Sequence, residues 1–292
     1  MLNEFTSIVP GAVKLDFLQE FLRPGDSLYV NPQSGFVTSG RSMTASEVAD
    51  YWSNVIFPDT SEDSYSANFP FARARLLYVI ESIVQKLNLR SQKQVSWCDF
   101  ATGEGVLLQL LSTLYPHFRI TGTEHSAALV SILNNKGFDV KHAGLGSGEV
   151  SGRTNEYDVS TLTWTLANSI DPIGLLQEVV SNTKIGGYVC VAESSRIMVP
   201  FRKSLRDYLS KVDPADSHPS HFSANTLRCI MEQVGLRVHY INRFFDSDVL
   251  LVIGQRSSGI KSQGYRDNQN DVVEFMRKWA ENTKYYESLR KS

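Results

Sequence analysis

The chain has 292 residues, 42% of them hydrophobic, and its 29 Lys and Arg against 31 Asp and Glu leave a net charge of −2. That length and apolar content suffice for a full core, while the near-neutral charge without a long basic run argues against nucleic acid as a partner. No window approaches the roughly 18 apolar residues of a spanning helix, and the start Met1-Leu-Asn-Glu-Phe5 has no basic region before an apolar block, so a cytoplasmic protein with no membrane partner is expected.

Residues 1–71 differ in character from the remainder of the chain. Pro10, Pro24, Pro32, Pro58 and Pro70 punctuate short apolar pieces such as Leu15 to Leu22 and Ser46 to Phe57, which reads as a small N-terminal helical appendage or lid. From Ala72 to Leu89, apolar residues recur at helical spacing (Leu76, Leu77, Val79, Ile80, Ile83, Val84, Leu87). Strands and helices then alternate. Strands are predicted at 95–99, 119–123, 138–142, 157–162, 186–193, 236–243 and 248–254, with helices near 105–114, 126–136, 172–183 and 223–234. Such alternation predicts a parallel α/β sheet covered on both faces, with the last two strands as an antiparallel hairpin. This main domain spans 72–256. Residues 257–292 form a polar linker and a helix from Asp271 to Leu289, a packing or oligomer element that leaves a homodimer open. Cys98, Cys190 and Cys229 lie in apolar segments without a C-x-x-C pair.

The chemistry concentrates in Val95-Ser-Trp-Cys-Asp99-Phe-Ala101-Thr-Gly103-Glu-Gly105-Val-Leu-Leu108, a buried strand that ends in an acid and turns through glycines into an apolar helix. Glycines permit backbone angles and close approach that a side chain would block, and the helix offers free amides to a ligand. The next strand ends in Glu124, an acid about 20 residues beyond the turn and so placed for ribose hydroxyls. A dinucleotide site asks for G-x-G-x-x-G. Counting from Ala101 and Gly103 puts Val106 at the third glycine position, and counting from Gly103 and Gly105 puts Leu108 there, so both registers fail.

Read as acid-x-G-x-G-x-G with Ala101 at the first glycine, the segment resembles the first motif of class I S-adenosylmethionine-dependent methyltransferases. Three further stretches resemble the same family in order. The first is Tyr157 to Pro172, with Ala167 and Asn168 where a Glu-His pair is usual. The second is Thr183-Lys-Ile-Gly186-Gly187 with its strand to Glu193. The third is His218-Pro-Ser-His221-Phe-Ser223 with Thr226-Leu227 and Gly235. The resemblance covers residues 72–256 and implies a Rossmann-like seven-stranded sheet with S-adenosyl-L-methionine as cofactor. It assigns Asp99, Ala101, Gly103 and Gly105 to the methionine side, Glu124 to the ribose and His125 to the adenine. It sets Asp158, Leu162 and Thr163 beneath the sulfonium. After the third strand the family often has an acid for the adenine amine, whereas Lys141-His-Ala143 offers none, which implies either backbone groups in that role or a less tight adenine site.

Methyl transfer is an in-line displacement, so orientation supplies much of the rate and a base is needed only for an acceptor that must lose a proton. His221, His218 and Glu193 are the catalytic candidates. Trp164 and Asn168 are candidates for acceptor binding, together with Tyr29, Tyr51 and Trp52 of the appendage. The appendage loosely resembles the front of bacterial methyltransferases acting on sugars or related metabolites, without the zinc-knuckle cysteines many of them carry, so a small-molecule substrate is expected. Each candidate also has a structural reading. The histidines can brace the helix that Ser223 is suited to cap, and Glu193 and Asn168 can be satisfied polar groups at element ends. The six histidines include one close pair with no third ligand, so no metal is expected. A non-catalytic scaffold subunit and an NAD-dependent oxidoreductase are the alternative functions.

Overall fold

The computed structural model describes residues 5, 8–40, 47, 50, 70–143, 155–193, 196–200, 204–209, 218–258 and 264–291. Chain order begins with β1 (Val13–Lys14), a 3₁₀ helix (Asp16–Phe21), β2 (Leu28–Val30) and β3 (Val37–Ser39). Then come α1 (Pro70–Lys86), β4 (Ser96–Phe100), α2 (Val106–Leu114), β5 (Arg119–Glu124), α3 (Ala127–Asn135), β6 (Asp139–His142) and β7 (Tyr157–Thr163). Next are a 3₁₀ turn (Leu166–Asn168), α4 (Pro172–Asn182), β8 (Thr183–Glu193), α5 (Leu205–Leu209), β9 (Ser220–His221) and α6 (Ala224–Gln233). The hairpin β10 (Leu236–Ile241) and β11 (Leu250–Arg256) precedes the closing helix α7 (Gln269–Lys291).

Seven strands form one sheet in the order β10-β11-β8-β7-β4-β5-β6. The neighbours from β8 to β6 run parallel, and β11 lies antiparallel between β8 and β10. Central strands are buried because helices cover both faces, and alternation sends successive residues to different layers. Trp97, Val159, Cys190 and Leu251 pack with Ile80 and Ile83 of α1 and Leu107 and Leu111 of α2. Cys98, Phe100, Leu162, Val191 and Val252 pack with Leu176 and Val179 of α4 and Leu227 and Ile230 of α6. The helices start where capping side chains allow. Ser126 accepts from the Leu129 amide, Asp171 accepts from the Gly174 amide ahead of Pro172 at the first turn, and Ser223 and Thr226 form a reciprocal capping box.

Among its described residues the N-terminal segment, expected to be helical, carries a 3₁₀ helix inside Leu15 to Leu22, helical backbone at Glu47 and Asp50, and strands that its sequence does not predict. Strands of two or three residues are too short to show alternation. They build a second sheet, β1-β2-β3-β9, antiparallel throughout, in which Val37 pairs with His221 and so ties the front of the chain to the main domain. Leu18, Phe21, Val30 and Val37 share a third core with Leu205, Tyr208, Met276 and Trp279, so α7 packs against its own chain. Among the described residues no helix is long and apolar enough to cross a membrane.

Candidate active site

All five parallel strands end at one edge, which gathers Phe100, Glu124, His142, Thr163 and Glu193. Ligands of such sheets bind outside the carboxyl ends of the strands, where the connections diverge. Between β4 and α2 the backbone runs through the left-handed region at alternate residues, with φ of 55° at Ala101, 56° at Gly103 and 77° at Gly105. Ala101 therefore adopts the left-handed backbone that glycine tolerates most readily. The turn is closed from the neighbouring strand: the Thr102 amide donates to the Thr123 carbonyl (2.9 Å) and the Gly103 amide to Glu124 Oε2 (2.9 Å). Glu124 Oε1 accepts from the Ser126 amide (2.9 Å), so one nearly buried carboxylate joins the turn to the start of α3. Gly105 is required by packing as well as by φ, since a Cβ there would lie 2.5 Å from Leu133 Cδ2.

Asp99 is buried at the end of β4, where Oδ1 accepts from the Thr161 hydroxyl (2.7 Å) and Oδ2 has no hydrogen-bond partner. Burial raises its pKa to about 7 against the pull of the Thr161 hydroxyl. Beyond Glu124, the rings of His125 and His142 lie 6.2 Å apart and nearly parallel, and His142 donates through Nε2 to the His125 carbonyl (2.7 Å). Sequence reading finds only a missing acid after β6, because the motif asks for a carboxylate there and His142 carries no signal.

On the other side of β4, Leu162 pairs in register with Phe100, and Thr163 and Trp164 continue from it out of the sheet. Trp164 has φ 58°, its amide donates to the Ala192 carbonyl (2.7 Å), and its indole Nε1 is buried with no partner. Left-handed backbone at a bulky residue persists only where surroundings over-determine it. Asp158, expected beneath the sulfonium, is instead at the opposite end of β7, and this corrects its assignment. Its carboxylate accepts from the Ser96 amide (2.8 Å) and hydroxyl (2.7 Å) and from Lys184 Nζ (2.7 Å). Burial pushes its pKa up, but the Lys184 and Ser96 hydrogen bonds outweigh this and hold it below the usual range.

Beyond β7 the candidate acceptor residues fall into two groups. Asn168 Oδ1 lies 2.6 Å from His218 Nδ1, while Asn168 Nδ2 donates to the Trp164 carbonyl (3.1 Å). His221 is buried on β9 with Nδ1 2.8 Å from the Tyr208 hydroxyl, and the Tyr208 ring packs against Trp279 of α7. Glu193, buried at the end of β8, accepts through Oε1 from the Ala167 amide (3.2 Å) and so holds the 3₁₀ turn that carries Asn168. Burial raises its pKa to about 8, with the Ala167 and Leu166 amides pulling the other way. Tyr208 escapes sequence reading because it sits in a five-residue helix that matches no motif. Tyr29 stands on β2 opposite Thr38, on the face away from Val30 and Val37, with its ring over Gly40. Tyr51 and Trp52 lie outside the described residues. Among the described residues no three His, Cys, Asp or Glu side chains gather as a metal site.

The donor set fits a nucleoside sulfonium: a carboxylate oxygen accepts more than one hydrogen bond, so Glu124 can hold a ribose diol while keeping its amides. A family model described as a methyltransferase domain matches residues 71–241. The complex between the Haloferax volcanii Trm112 methyltransferase activator and a methyltransferase is similar at 14% identity, covering 72% of this chain and 98% of the other with a TM-score of 0.52. An O-methyltransferase family protein from Burkholderia thailandensis is similar at 17% identity, covering 68% and 62%, with a TM-score of 0.50. A comparison with curated proteins returned no match. Fold and site together define a class I S-adenosylmethionine-dependent methyltransferase, whose cofactor is S-adenosyl-L-methionine. The chain belongs to the methyltransferase domain family that its residues 71–241 match.

This geometry makes two effects measurable. Ala101→Gly relieves a left-handed alanine, which costs roughly 1 kcal/mol, at the expense of a more flexible unfolded chain; urea unfolding should show it neutral or slightly stabilised, whereas Gly105→Ala loses about 1–3 kcal/mol. The second effect concerns pH. Asp99 and Glu193 have folded pKa values raised to about 7 and about 8, so the folded state binds their protons more tightly than the unfolded chain. Their contribution is complete below about pH 4 and is lost as pH rises to about 8. Thermal melts from about pH 5 to about pH 8.5 should show a falling Tm, and Glu193→Gln should make the fall shallower.

Proposed function

We propose that this protein transfers the methyl group of S-adenosyl-L-methionine to a small-molecule acceptor, a sugar or related metabolite. The observation that carries this reading is the left-handed turn at Ala101, Gly103 and Gly105, closed by Glu124 at the carboxyl edge of the sheet. When bound, the cofactor supplies an electrophilic methyl group on a cationic sulfur. Glu124 holds the ribose, the turn and Asp99 hold the amino-acid end, and His125 with His142 flanks the adenine beyond β5. Leu162, Thr163 and Trp164 then floor the reacting centre, and the acceptor occupies the side bounded by Asn168, His218, His221 and Glu193. Fixing two reactants in line is worth effective molarities up to about 10⁵–10⁸ M, so most of the work asked of these residues is orientation.

The dinucleotide alternative has no support in the packing. Its third glycine would let α2 approach the sheet, whereas here Leu108 fills that contact and the small residue is Gly122 on β5, where a Cβ would lie 3.0 Å from Leu108 Cδ1. Calorimetry with S-adenosylhomocysteine should give one site per chain and no competition from NADH. Glu124→Ala should weaken that binding at least tenfold, consistent with about 1.5–3 kcal/mol for hydrogen bonds to a charged group. No binding at millimolar ligand by the folded wild-type protein would reject methyl transfer in favour of a non-catalytic subunit.

A further inference from the structure

A buried chain of hydrogen bonds decides how the Asp99 carboxyl group is turned. Trp97 and Asp99 are two apart on β4 and so share a face, and Thr161 is the in-register neighbour of Asp99 on β7. The Trp97 indole can only donate, and its Nε1 lies 3.1 Å from Thr161 Oγ1, so that oxygen is an acceptor there. The one hydrogen of the Thr161 hydroxyl is left for Asp99 Oδ1 at 2.7 Å, with the Cys98 carbonyl as the longer alternative at 3.4 Å. Threonine is stiff at χ1 and all three side chains are buried, so the hydroxyl has little freedom. Asp99 Oδ2 is thereby turned away from Thr161. It is buried without a partner, and so is the Thr102 hydroxyl beside it, although that hydroxyl is near enough to favour the ionised carboxyl.

Two orphaned polar atoms side by side in a buried site are costly unless a ligand supplies what they lack. The charged group acting on Asp99 is Glu124 of β5, which has the same sign, so the missing partner is one that carries positive charge and hydrogens to donate. We infer that Thr161 is a positioning residue: it fixes the Asp99 carboxylate with Oδ1 turned into the sheet and Oδ2 presented, beside Thr102, to the ammonium of the cofactor's amino-acid end. The inference rests on the methyl-transfer reading for the identity of that ammonium and on the hydrogen bonds for the orientation. The ligand's own carboxylate is repelled from Oδ2, which sets which way round the amino-acid end lies. Without the Thr161 hydroxyl, Asp99 Oδ1 and Trp97 Nε1 lose their shared partner, and a carboxyl group free to rotate no longer offers Oδ2 in a fixed place.

Two ligands separate this role from a merely structural one. 5′-Methylthioadenosine keeps the nucleoside and thioether of S-adenosylhomocysteine and lacks its amino-acid end. In calorimetry on the whole protein, Thr161→Val should weaken S-adenosylhomocysteine about tenfold, in line with a hydrogen bond to a charged group, and 5′-methylthioadenosine by less than about twofold. Thr161→Ser, which keeps the hydroxyl, should restore the wild-type ratio of the two affinities. Equal losses for both ligands, no loss for either, or a Thr161→Ser protein that behaves like Thr161→Val overturns the assignment. The Asp99 carboxyl ¹³C signal, assigned by its loss in Asp99→Asn, covers the case in which Thr161→Val fails to fold. In the wild type its titration midpoint should fall from about 7 to below about 6 with S-adenosylhomocysteine bound and stay at about 7 with 5′-methylthioadenosine. A midpoint indifferent to the amino-acid end overturns the ammonium contact. A folded wild-type protein that binds neither ligand rejects the methyl-transfer reading, and the unliganded titration then judges Thr161 alone. Its hydroxyl holds the Asp99 midpoint down, so Thr161→Val should raise it and Thr161→Ser should not; an unchanged midpoint in Thr161→Val overturns the positioning role.

Discussion

The carboxylate of Glu124 organises the carboxyl edge of the seven-stranded sheet. Removing a carboxylate from water is costly unless it is hydrogen-bonded, and of its two amide partners Ser126 is the cap residue of α3, where amides need acceptors, while Gly103 lies in the turn ahead of α2. One side chain at the end of β5 thus satisfies the turn leaving β4 and the start of α3 together, and charge-assisted hydrogen bonds are the stronger kind. Beneath it, Leu108, Leu133 and Val140 form a small apolar cluster, and Gly105 and Gly122 are the points where that cluster meets backbone. The polar groups of this edge are aligned by the closely packed apolar residues under them.

A similar dependence runs beyond β7, with different partners. Glu193 holds the 3₁₀ turn, the turn presents Asn168, and Asn168 Oδ1 meets His218 Nδ1 at 2.6 Å. His221 arrives from another direction, on a two-residue strand paired with Val37, and its ring meets Tyr208, which leans on Trp279. The front segment and α7 therefore support the site without belonging to the seven-stranded sheet. Contacts between α5 and α7 strengthen that support: Thr283 Oγ1 accepts from the Leu205 amide (2.8 Å), and Arg206 pairs with Glu287 through two nitrogens.

The elements that can be read from residues alone are those whose physics is local and repeated. Runs such as 186–193 and 248–254 are apolar enough to be buried strands, and the Ser223 cap and the Asp171-Pro172 start have side-chain signatures of their own. Asp158 shows where such reading fails. Its strand is where the sequence predicts it, but a strand of this length spans roughly 20 Å, and an acid at its start cannot serve a ligand at its end. Asp99, by contrast, is the fourth residue in β4 and reaches the edge. The short strands of the front segment, Tyr208 and His142 depend on partners far away in sequence, so nothing near them in the chain announces them.

Ala101 separates a motif from the property the motif reports. Glycine is usual at such positions because it tolerates φ above zero, not because hydrogen is needed as a side chain. With the amides of Thr102 and Gly103 bound to β5 on one side and Gly105 leading into α2 on the other, the backbone at Ala101 has little choice but φ 55°. A cost of roughly 1 kcal/mol for a left-handed alanine is small beside the hydrogen bonds and packing that impose it. The alanine is therefore accommodated in the left-handed backbone that the glycine pattern allows for, and the turn closes on β5 with it in place.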